Sequence, residues 1–215
     1  MSPENFVERL GTLRASAILR TSVEAAAGPA MDAAVRGGFR VVEFTLNTPG
    51  ALDRIAEFSR RDELIVGAGT VMSPADARSA VRAGARFLVS PIVDEAVIAE
   101  ARALGVAVMP GCHTPTEMVR AHRAGAQVVK LFPAPGSGPD YVRACLGPLP
   151  FLKIVPTSGV TEDNAQAWLA AGCFAVGFVA SLFDASTLAE GRFDLVEARA
   201  RRCLAAVGGR TDVGG

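Results

Sequence analysis

Eight short apolar segments, recurring about every 19–24 residues, limit how this chain can fold more than any other feature of its sequence. Most are continuously apolar and rich in β-branched residues, without alternating polar positions. That pattern is typical of parallel strands buried on both faces. The segments are SAILR (16–20), RVVEFTL (40–46), LIVGAGT (64–70), RFLVSP (86–91), VAVMPG (106–111), VVKLFPA (128–134), LKIVPTSG (152–159) and FAVGFVAS (174–181).

The segments between the predicted strands have helical character and are rich in alanine and arginine. Several end on a glycine before the next strand, as in VRAGAR and HRAGAQ, where glycine can adopt the left-handed conformation that ends a helix. SPADAR, TPTEMVR and TEDNAQ each offer a capping residue ahead of a helix. Eight such strand–loop–helix units predict an α/β fold, a (β/α)8 or TIM barrel. An open doubly wound sheet is the structural alternative.

The length of the chain, 215 residues, fits one barrel domain of roughly 200–250 residues. We therefore expect a single domain over 1–215. Within it, we expect an N-terminal helix over about 1–12 and a flexible tail over about 208–215, GGRTDVGG.

Composition excludes several classes of function. Lys+Arg and Asp+Glu number 22 each, and this zero net charge argues against nucleic acid or an anionic membrane as the main partner. The sequence predicts no secretion signal and no membrane span. The four cysteines have no metal-type spacing, which favours reduced, buried thiols in a cytoplasmic protein. With only two histidines, His113 and His122, we expect no metal centre.

The chain has only two lysines, Lys130 and Lys153, and both fall in predicted strands. Lys153 begins its strand, where an ion-paired or partly solvated lysine is expected. Lys130 lies deep in VVKLFP, near the carboxyl end of the sixth strand, and barrel active sites lie at that end. Burial lowers the pKa of a lysine and supplies the free amine that attacks a ketone. An ion-paired structural lysine is the alternative.

Glu43, in VVEFTL, is the only carboxylate in the middle of a predicted strand. It could be an ion-pair partner of a buried cation or a general acid/base. Both interpretations hold together if Glu43 lies close to Lys130. The residues alone predict a barrel lyase or isomerase that uses a lysine and a glutamate.

The motifs VVEFTLNT, GAGTV, VSP, MPGC, VVKLFPA and TSGV, in this order and spacing, resemble the 2-keto-3-deoxy-6-phosphogluconate aldolase family. That family also includes 2-keto-4-hydroxyglutarate and 2-keto-3-deoxy-6-phosphogalactonate aldolases. The resemblance runs from about residue 14 to 205. It implies a class I aldolase, usually a homotrimer, that acts on a small-molecule keto acid and needs no metal or organic cofactor.

The resemblance also implies roles for particular residues. Lys130 would form an imine with the C2 ketone of the substrate, and Glu43 would move protons around it. Thr70 would bind the pyruvate carboxylate, while Pro91 and Phe132 would wall the pocket.

The chain departs from the family pattern after the glutamate, where many members have TLRT and the arginine binds the substrate carboxylate. Asn47 stands there instead. The first strand ends in Arg20, as in the phosphogalactonate branch, so Arg20 and Asn47 would share this task. An arginine that serves only as an ion pair at the barrel end is the alternative.

A second departure concerns the distal phosphate, which the family binds with Gly-Gly after strand seven and Gly-Ser after strand eight. Here the corresponding residues are Ser158-Gly159, preceded by the further candidate Thr157, and Val179-Ala180, with Ser181 one residue later as a possible substitute hydroxyl. Backbone amides at helix starts bind anions well. A valine side chain at this position narrows the space through which an anion reaches those amides. Phosphorylated and non-phosphorylated substrates, including 2-keto-4-hydroxyglutarate, both remain open, as does the C4 stereochemistry.

His113 follows strand five at the active-site end and could contact the distal part of the substrate, or could be a surface residue. Cys112 is predicted to be a pocket wall, because nothing in the sequence marks a lowered thiol pKa. Two alternatives of other classes stay open: a barrel that binds a sugar acid without catalysis, and a barrel isomerase or synthase.

Overall fold

The computed structural model describes residues 1–208, so most of the predicted tail, from residue 209 onward, lies outside the described residues. All eight predicted strands are present. They are β1 Ala15–Leu19, β2 Val41–Thr45, β3 Ile65–Gly69, β4 Phe87–Ser90, β5 Ala107–Cys112, β6 Val129–Leu131, β7 Ile154–Pro156 and β8 Val176–Phe178. The helices are α1 Pro3–Leu13, α2 Glu24–Arg36, α3 Ala51–Phe58, α4 Pro74–Arg82, α5 Glu95–Ala103, α6 Pro115–Ala124, α7 Pro139–Leu146, α8 Ala165–Ala170, α9 Ala185–Ala189 and α10 Phe193–Ala206.

The strands form a nearly closed parallel barrel. They are hydrogen-bonded neighbours in the order β7-β6-β5-β4-β3-β2-β1-β8, and every pair is parallel. A hydrogen bond from Phe174 N to Ile154 O, 2.9 Å long, joins β7 to the segment leading into β8. Because the first strand pairs with the last, the doubly wound alternative is wrong and the predicted (β/α)8 barrel with an N-terminal helix is confirmed.

The apolar interior of the barrel is concentrated at its amino-terminal end. Phe6 and Leu10 of α1 are buried in one cluster with Val41, Ile65 and other residues that begin the strands. The rings of Phe6 and Phe87 stack with their centroids 4.6 Å apart. Helix α1 therefore closes this end of the barrel, and Glu43 and Lys130 lie two residues further along the chain than Val41 and Val128 of this cluster.

The helix boundaries follow the predicted capping residues in two of three cases. Ser73 accepts a hydrogen bond from Asp76 N at the start of α4, and Thr114 with Glu117 forms a capping box at the start of α6. The third cap differs from the expectation, because Asn164, the residue before α8, makes no capping bond and instead accepts from Thr161 N. Gly125 ends α6 in the left-handed conformation, with φ 107°, as its sequence context predicts.

Across residues 1–208, no helix combines the length and the apolar character that crossing a bilayer requires.

Candidate active site

Glu43 is a fully buried carboxylate in the barrel interior. Its Cα pairs with Ile18 of β1 and Gly67 of β3, and its exposed fraction is 0%. Within the described residues, neither carboxylate oxygen has a hydrogen-bond partner. Burying a polar group without a partner costs several kcal/mol. Such a group points to a site that a ligand completes.

Gly69 creates the space that the Glu43 carboxylate occupies. A Cβ at position 69 would overlap with Glu43 Oε1 and lie 2.8 Å from Glu43 Cδ. Only glycine at the carboxyl end of β3 therefore allows Glu43 to take this position.

Lys130 lies on β6, where its Cα pairs with Gly111 of β5 and Val155 of β7. Its exposed fraction is 5%. The ammonium nitrogen Nζ lies 4.7 Å from the centroid of the Phe132 ring, within the range of a cation–π contact. The structure thus gives Lys130 an apolar environment with an aromatic wall.

The charges of Glu43, Lys130 and Arg20 act on one another. Burial raises the pKa of Glu43 from 4.5 to about 7, although the positive charges of Lys130 and Arg20 oppose that rise. Burial also lowers the pKa of Lys130, Glu43 opposes this change, and Arg20 adds to it. The barrel interior therefore holds both a carboxyl group that titrates near neutrality and an amine that loses its proton more readily than an ordinary lysine.

Arg20 and Asn47 lie together at the carboxyl end of the barrel. Arg20 directly follows β1, Asn47 lies just after β2, and both side chains are exposed. They line one cavity of about 370 Å³, with the 21–23 loop and with Ala185 and Leu188 of α9 as its other walls. The structure therefore brings together the two residues that sequence reasoning assigned to one task.

Thr70 and Pro91 follow β3 and β4 at the same end of the barrel, and both are half-buried. Thr70 has φ 58°, a conformation that is rare for a β-branched residue and costs about 1–3 kcal/mol. The backbone of Pro91 lies so close to Gly111 that a Cβ at position 111 would overlap with it. Both residues are held in fixed positions beside the ends of their strands.

The loops after β7 and β8 carry the predicted distal-group residues. Thr157 is buried, and Ser158 Oγ accepts a hydrogen bond from Ala134 N at 2.7 Å, which leaves the Ser158 hydroxyl hydrogen for another acceptor. Ser181 Oγ donates to Val160 O at 2.7 Å, so its single hydrogen is already used. Ser181 therefore ties the two loops together instead of presenting a free donor.

The backbone of these two loops offers further donors. In the loop after β7, Gly159 adopts the left-handed conformation, with φ 72°. In the loop after β8, Val179 O accepts hydrogen bonds from the amides of Leu182 and Phe183, which form one helical turn. The turn that begins at Val179 does not use the N–H groups of Ala180 and Ser181, because the first amides of a helical turn have no acceptor within it.

His113 is exposed in the loop after β5, and Nδ1 lies 2.9 Å from Pro133 O. A carbonyl oxygen only accepts, so Nδ1 carries the hydrogen of this bond and Nε2 remains available. Tyr141 Oη donates to His113 O, and the two rings stack 6.0 Å apart. Cys112, just before His113, is buried in the apolar cluster that also contains Met118 of α6, and burial raises its thiol pKa to about 12.

Sequence reasoning missed three residues that shape the site: Gly69, Thr45 and Thr48. Thr45 and Thr48 are buried and hydrogen-bonded to each other through their hydroxyls. Gly69 could have been found, because Gly67 and Gly69 are two residues apart and therefore share the inward face of β3. Among residues 1–208, no group of three or more His, Cys, Asp and Glu side chains could hold a metal ion.

Fold and site together define a (β/α)8 barrel that buries a lysine and a glutamate at the end where enzymes of this fold keep their active sites. Residues 7–199 match the family described as KDPG and KHG aldolase, that is, 2-keto-3-deoxy-6-phosphogluconate and 2-keto-4-hydroxyglutarate aldolase. The chain belongs to this aldolase family and is a carbon–carbon lyase.

Individual relatives agree with this assignment. The chain is 35% identical to 2-dehydro-3-deoxy-6-phosphogalactonate aldolase of Escherichia coli K12, over 81% of this chain and 86% of the relative. It is 38% identical to 2-dehydro-3-deoxy-phosphogluconate aldolase of Pseudomonas aeruginosa, over 66% of each chain. A solved structure described as native KDPGal superimposes with a TM-score of 0.83 at 32% identity, covering 90% of this chain and 94% of that one.

Proposed function

We propose that this protein is a class I aldolase that reversibly cleaves a 2-keto-3-deoxy-6-phospho sugar acid to pyruvate and an aldehyde of the glyceraldehyde 3-phosphate type. The observation that carries the proposal is the burial of Lys130 and Glu43 in one barrel, where the charge of each changes the pKa of the other. Family membership and the names of the relatives support the reaction class.

In the proposed reaction, the free amine of Lys130 adds to the C2 ketone, and loss of water gives a protonated imine. The proton of the C4 hydroxyl leaves, the C3–C4 bond breaks, and its electron pair moves to C3 and into the imine, releasing the aldehyde and leaving an enamine. Protonation at C3 and hydrolysis then release pyruvate and restore the amine. The lowered pKa of Lys130 supports this role, because only the unprotonated amine attacks.

Glu43 is proposed to carry the protons of these steps. A general acid/base works best when its pKa lies near the operating pH, and burial raises the pKa of Glu43 to about 7. Its carboxylate oxygens, without partners in the described residues, are free to accept and return a proton.

The remaining pocket residues are proposed to bind and orient the substrate. Arg20 and Asn47 would hold the carboxylate from their shared cavity, and Thr70 would donate a hydrogen bond to it. Phe132, against the Lys130 amine, and Pro91 would keep water away from the imine.

The distal phosphate is proposed to bind between the loops after β7 and β8. The free hydrogen of the Ser158 hydroxyl and the unused amides of Ala180 and Ser181 support an anion site, with Thr157 and Gly159 shaping it. Two features favour the alternative substrate, a non-phosphorylated sugar acid or 2-keto-4-hydroxyglutarate. The Val179 side chain narrows the approach to the backbone amides, and the Ser181 hydroxyl already donates its hydrogen to Val160 O. His113 is the candidate contact for that part of the substrate in either case.

A homotrimer is proposed from the family resemblance, and a cytoplasmic location from the four reduced, buried cysteines. Leu52 in the first turn of α3, and Met72 and Ile92 in the loops after β3 and β4, are exposed apolar side chains that a neighbouring subunit could cover. Light scattering during size-exclusion chromatography measures the oligomeric state, and a monomer at micromolar concentration would overturn the trimer.

The function is tested by measuring pyruvate release from phosphorylated and non-phosphorylated 2-keto-3-deoxy sugar acids and from 2-keto-4-hydroxyglutarate. The two lysines of the chain provide a matched pair of variants: Lys130→Met is expected to abolish release, whereas Lys153→Met, at the start of its strand, is expected to retain it. Release by Lys130→Met near the wild-type rate would refute the imine mechanism. Binding of a sugar acid without pyruvate release would indicate the non-catalytic alternative.

A further inference from the structure

Two buried threonine hydroxyls connect the backbone on either side of Arg20. Thr45 Oγ1 lies 3.2 Å from Leu19 O and 3.1 Å from Thr48 Oγ1, and Thr21 N lies 3.3 Å from Thr48 Oγ1. Leu19 and Thr21 are the residues immediately before and after Arg20. We call Thr45 and Thr48 the threonine clip.

The two backbone groups that the clip contacts fix the direction of every hydrogen bond between them. The amide of Thr21 can only donate, and the carbonyl of Leu19 can only accept. Thr48 therefore accepts from Thr21 and donates to Thr45, and Thr45 donates to Leu19. Each hydroxyl uses its single hydrogen in this chain, so the clip works as one unit and loss of either hydroxyl breaks it.

We propose that Thr45 and Thr48 are positioning residues that hold Arg20 where it binds the substrate carboxylate. This inference rests on the function proposed above for Arg20. Strand β1 ends at Leu19, so Arg20 is the first residue beyond the β1 segment that the barrel hydrogen bonds hold. Beyond the end of the strand, hydrogen bonds from the clip hold the backbone on both sides of Arg20, whose side chain is exposed.

The burial of the clip supports a positioning role. Thr45 and Thr48 are 1% and 2% exposed, so a broken chain leaves polar groups that water reaches poorly. Thr45 also shares the inward face of β2 with Glu43, two residues earlier, and a Cβ at position 69 would contact both side chains. The clip thus joins the backbone that carries Arg20 to the strand that carries Glu43.

The test compares Thr48→Val, which keeps the shape of the side chain but loses the hydroxyl, with Thr48→Ser, which keeps the hydroxyl. The readout is the pyruvate concentration that half-saturates borohydride trapping on Lys130. We expect Thr48→Val to raise it about tenfold, the size of one lost hydrogen bond to a charged group, and Thr48→Ser to restore it to within about twofold. The trapped amount at saturating pyruvate should stay the same in both variants.

A second comparison asks whether Thr48 acts through Arg20. In an Arg20→Ala background, Thr48→Val is expected to add no further increase, because the residue that the clip positions is absent. Ser59→Ala provides the control for loss of a hydroxyl elsewhere, since Ser59 Oγ donates to Ala56 O at the end of α3 and should leave pyruvate binding unchanged.

The outcomes separate this inference from the proposed function. A wild-type protein that gives no Lys130 adduct overturns the proposed function and the clip together. A wild-type adduct with unchanged half-saturation in Thr48→Val overturns the clip alone, as does a full additional increase of half-saturation in the Arg20→Ala background. Should Thr48→Val fail to fold, Thr45→Val tests the same chain from its other member.

Discussion

Replacing Gly69 with alanine is expected to displace the Glu43 carboxylate without replacing any ionisable residue. The added Cβ would lie 2.8 Å from Glu43 Cδ, whereas two carbon atoms in contact lie about 3.5–4.0 Å apart. The carboxyl group must therefore move by about 1 Å. A misplacement of that size costs on the order of 10²-fold in rate. We expect kcat for pyruvate release to fall by about that factor.

Gly67→Ala is the matched control for this change. Gly67 is two residues earlier on the same inward face of β3, and a Cβ there would overlap with the Phe87 ring instead of Glu43. Overpacking of this kind costs about 1–3 kcal/mol of unfolding free energy, so both variants should be destabilised by a similar amount. Only Gly69→Ala should lose catalysis in the molecules that remain folded.

The assay combines urea unfolding of both variants with kcat measured at a temperature where each is fully folded. Retention of kcat within about threefold of wild type in Gly69→Ala would refute the inferred position of Glu43. An equal loss of kcat in Gly67→Ala would also refute it, because general overpacking would then explain both results.

Two further predictions concern the charges of the site. Burial raises the pKa of Glu43 from 4.5 to about 7, so the folded protein binds this proton more tightly than the unfolded chain. Ionised Glu43 therefore lowers the free energy of unfolding progressively between pH 4.5 and about 7, and by a constant amount at higher pH. Each pKa unit corresponds to about 1.4 kcal/mol, so urea unfolding should find Glu43→Gln about 3 kcal/mol more stable than wild type at pH 8 and similar to it at pH 4. Equal stability of the two proteins at pH 8 would contradict this prediction. Arg20→Ala removes a positive charge that lowers the pKa of both Glu43 and Lys130, so both pKa values should rise. The pH profile of kcat/KM should then move to higher pH, and an unchanged profile would show that Arg20 does not act on the pair.

Most of the fold could be predicted from the sequence because its local patterns, apolar segments and helix-ending glycines, each indicate a particular element of structure. Eight apolar segments at regular spacing, separated by helices that end in glycine, leave few ways of burying both faces of every strand. The count of eight units favoured closure into a barrel, but the open sheet was excluded only by the pairing of β1 with β8, which depends on how the complete sheet curves. The third predicted cap failed because Asn164 bonds to the preceding loop, a choice that the short motif TEDNAQ does not reveal.

The site was predictable where a residue type is out of place in its segment. A lysine and a glutamate inside buried strands stand out because burying either charge is costly. Thr45, Thr48 and Gly69 were missed because threonine and glycine are ordinary near strand ends, and their importance comes from partners on neighbouring strands. The use of the Ser181 hydroxyl by Val160 O likewise depends on how two distant loops meet.

Treatment of the protein with pyruvate and borohydride, followed by peptide mapping, tests the imine mechanism most directly. Because Lys130 and Lys153 are the only lysines, the location of the reduced adduct has just two lysine outcomes besides the chain's amino terminus. A single adduct on Lys130, absent from Lys130→Met and retained in Lys153→Met, is the result that we predict. A folded protein without an adduct, or with an adduct on Lys153, would contradict the assignment of Lys130 as the nucleophile.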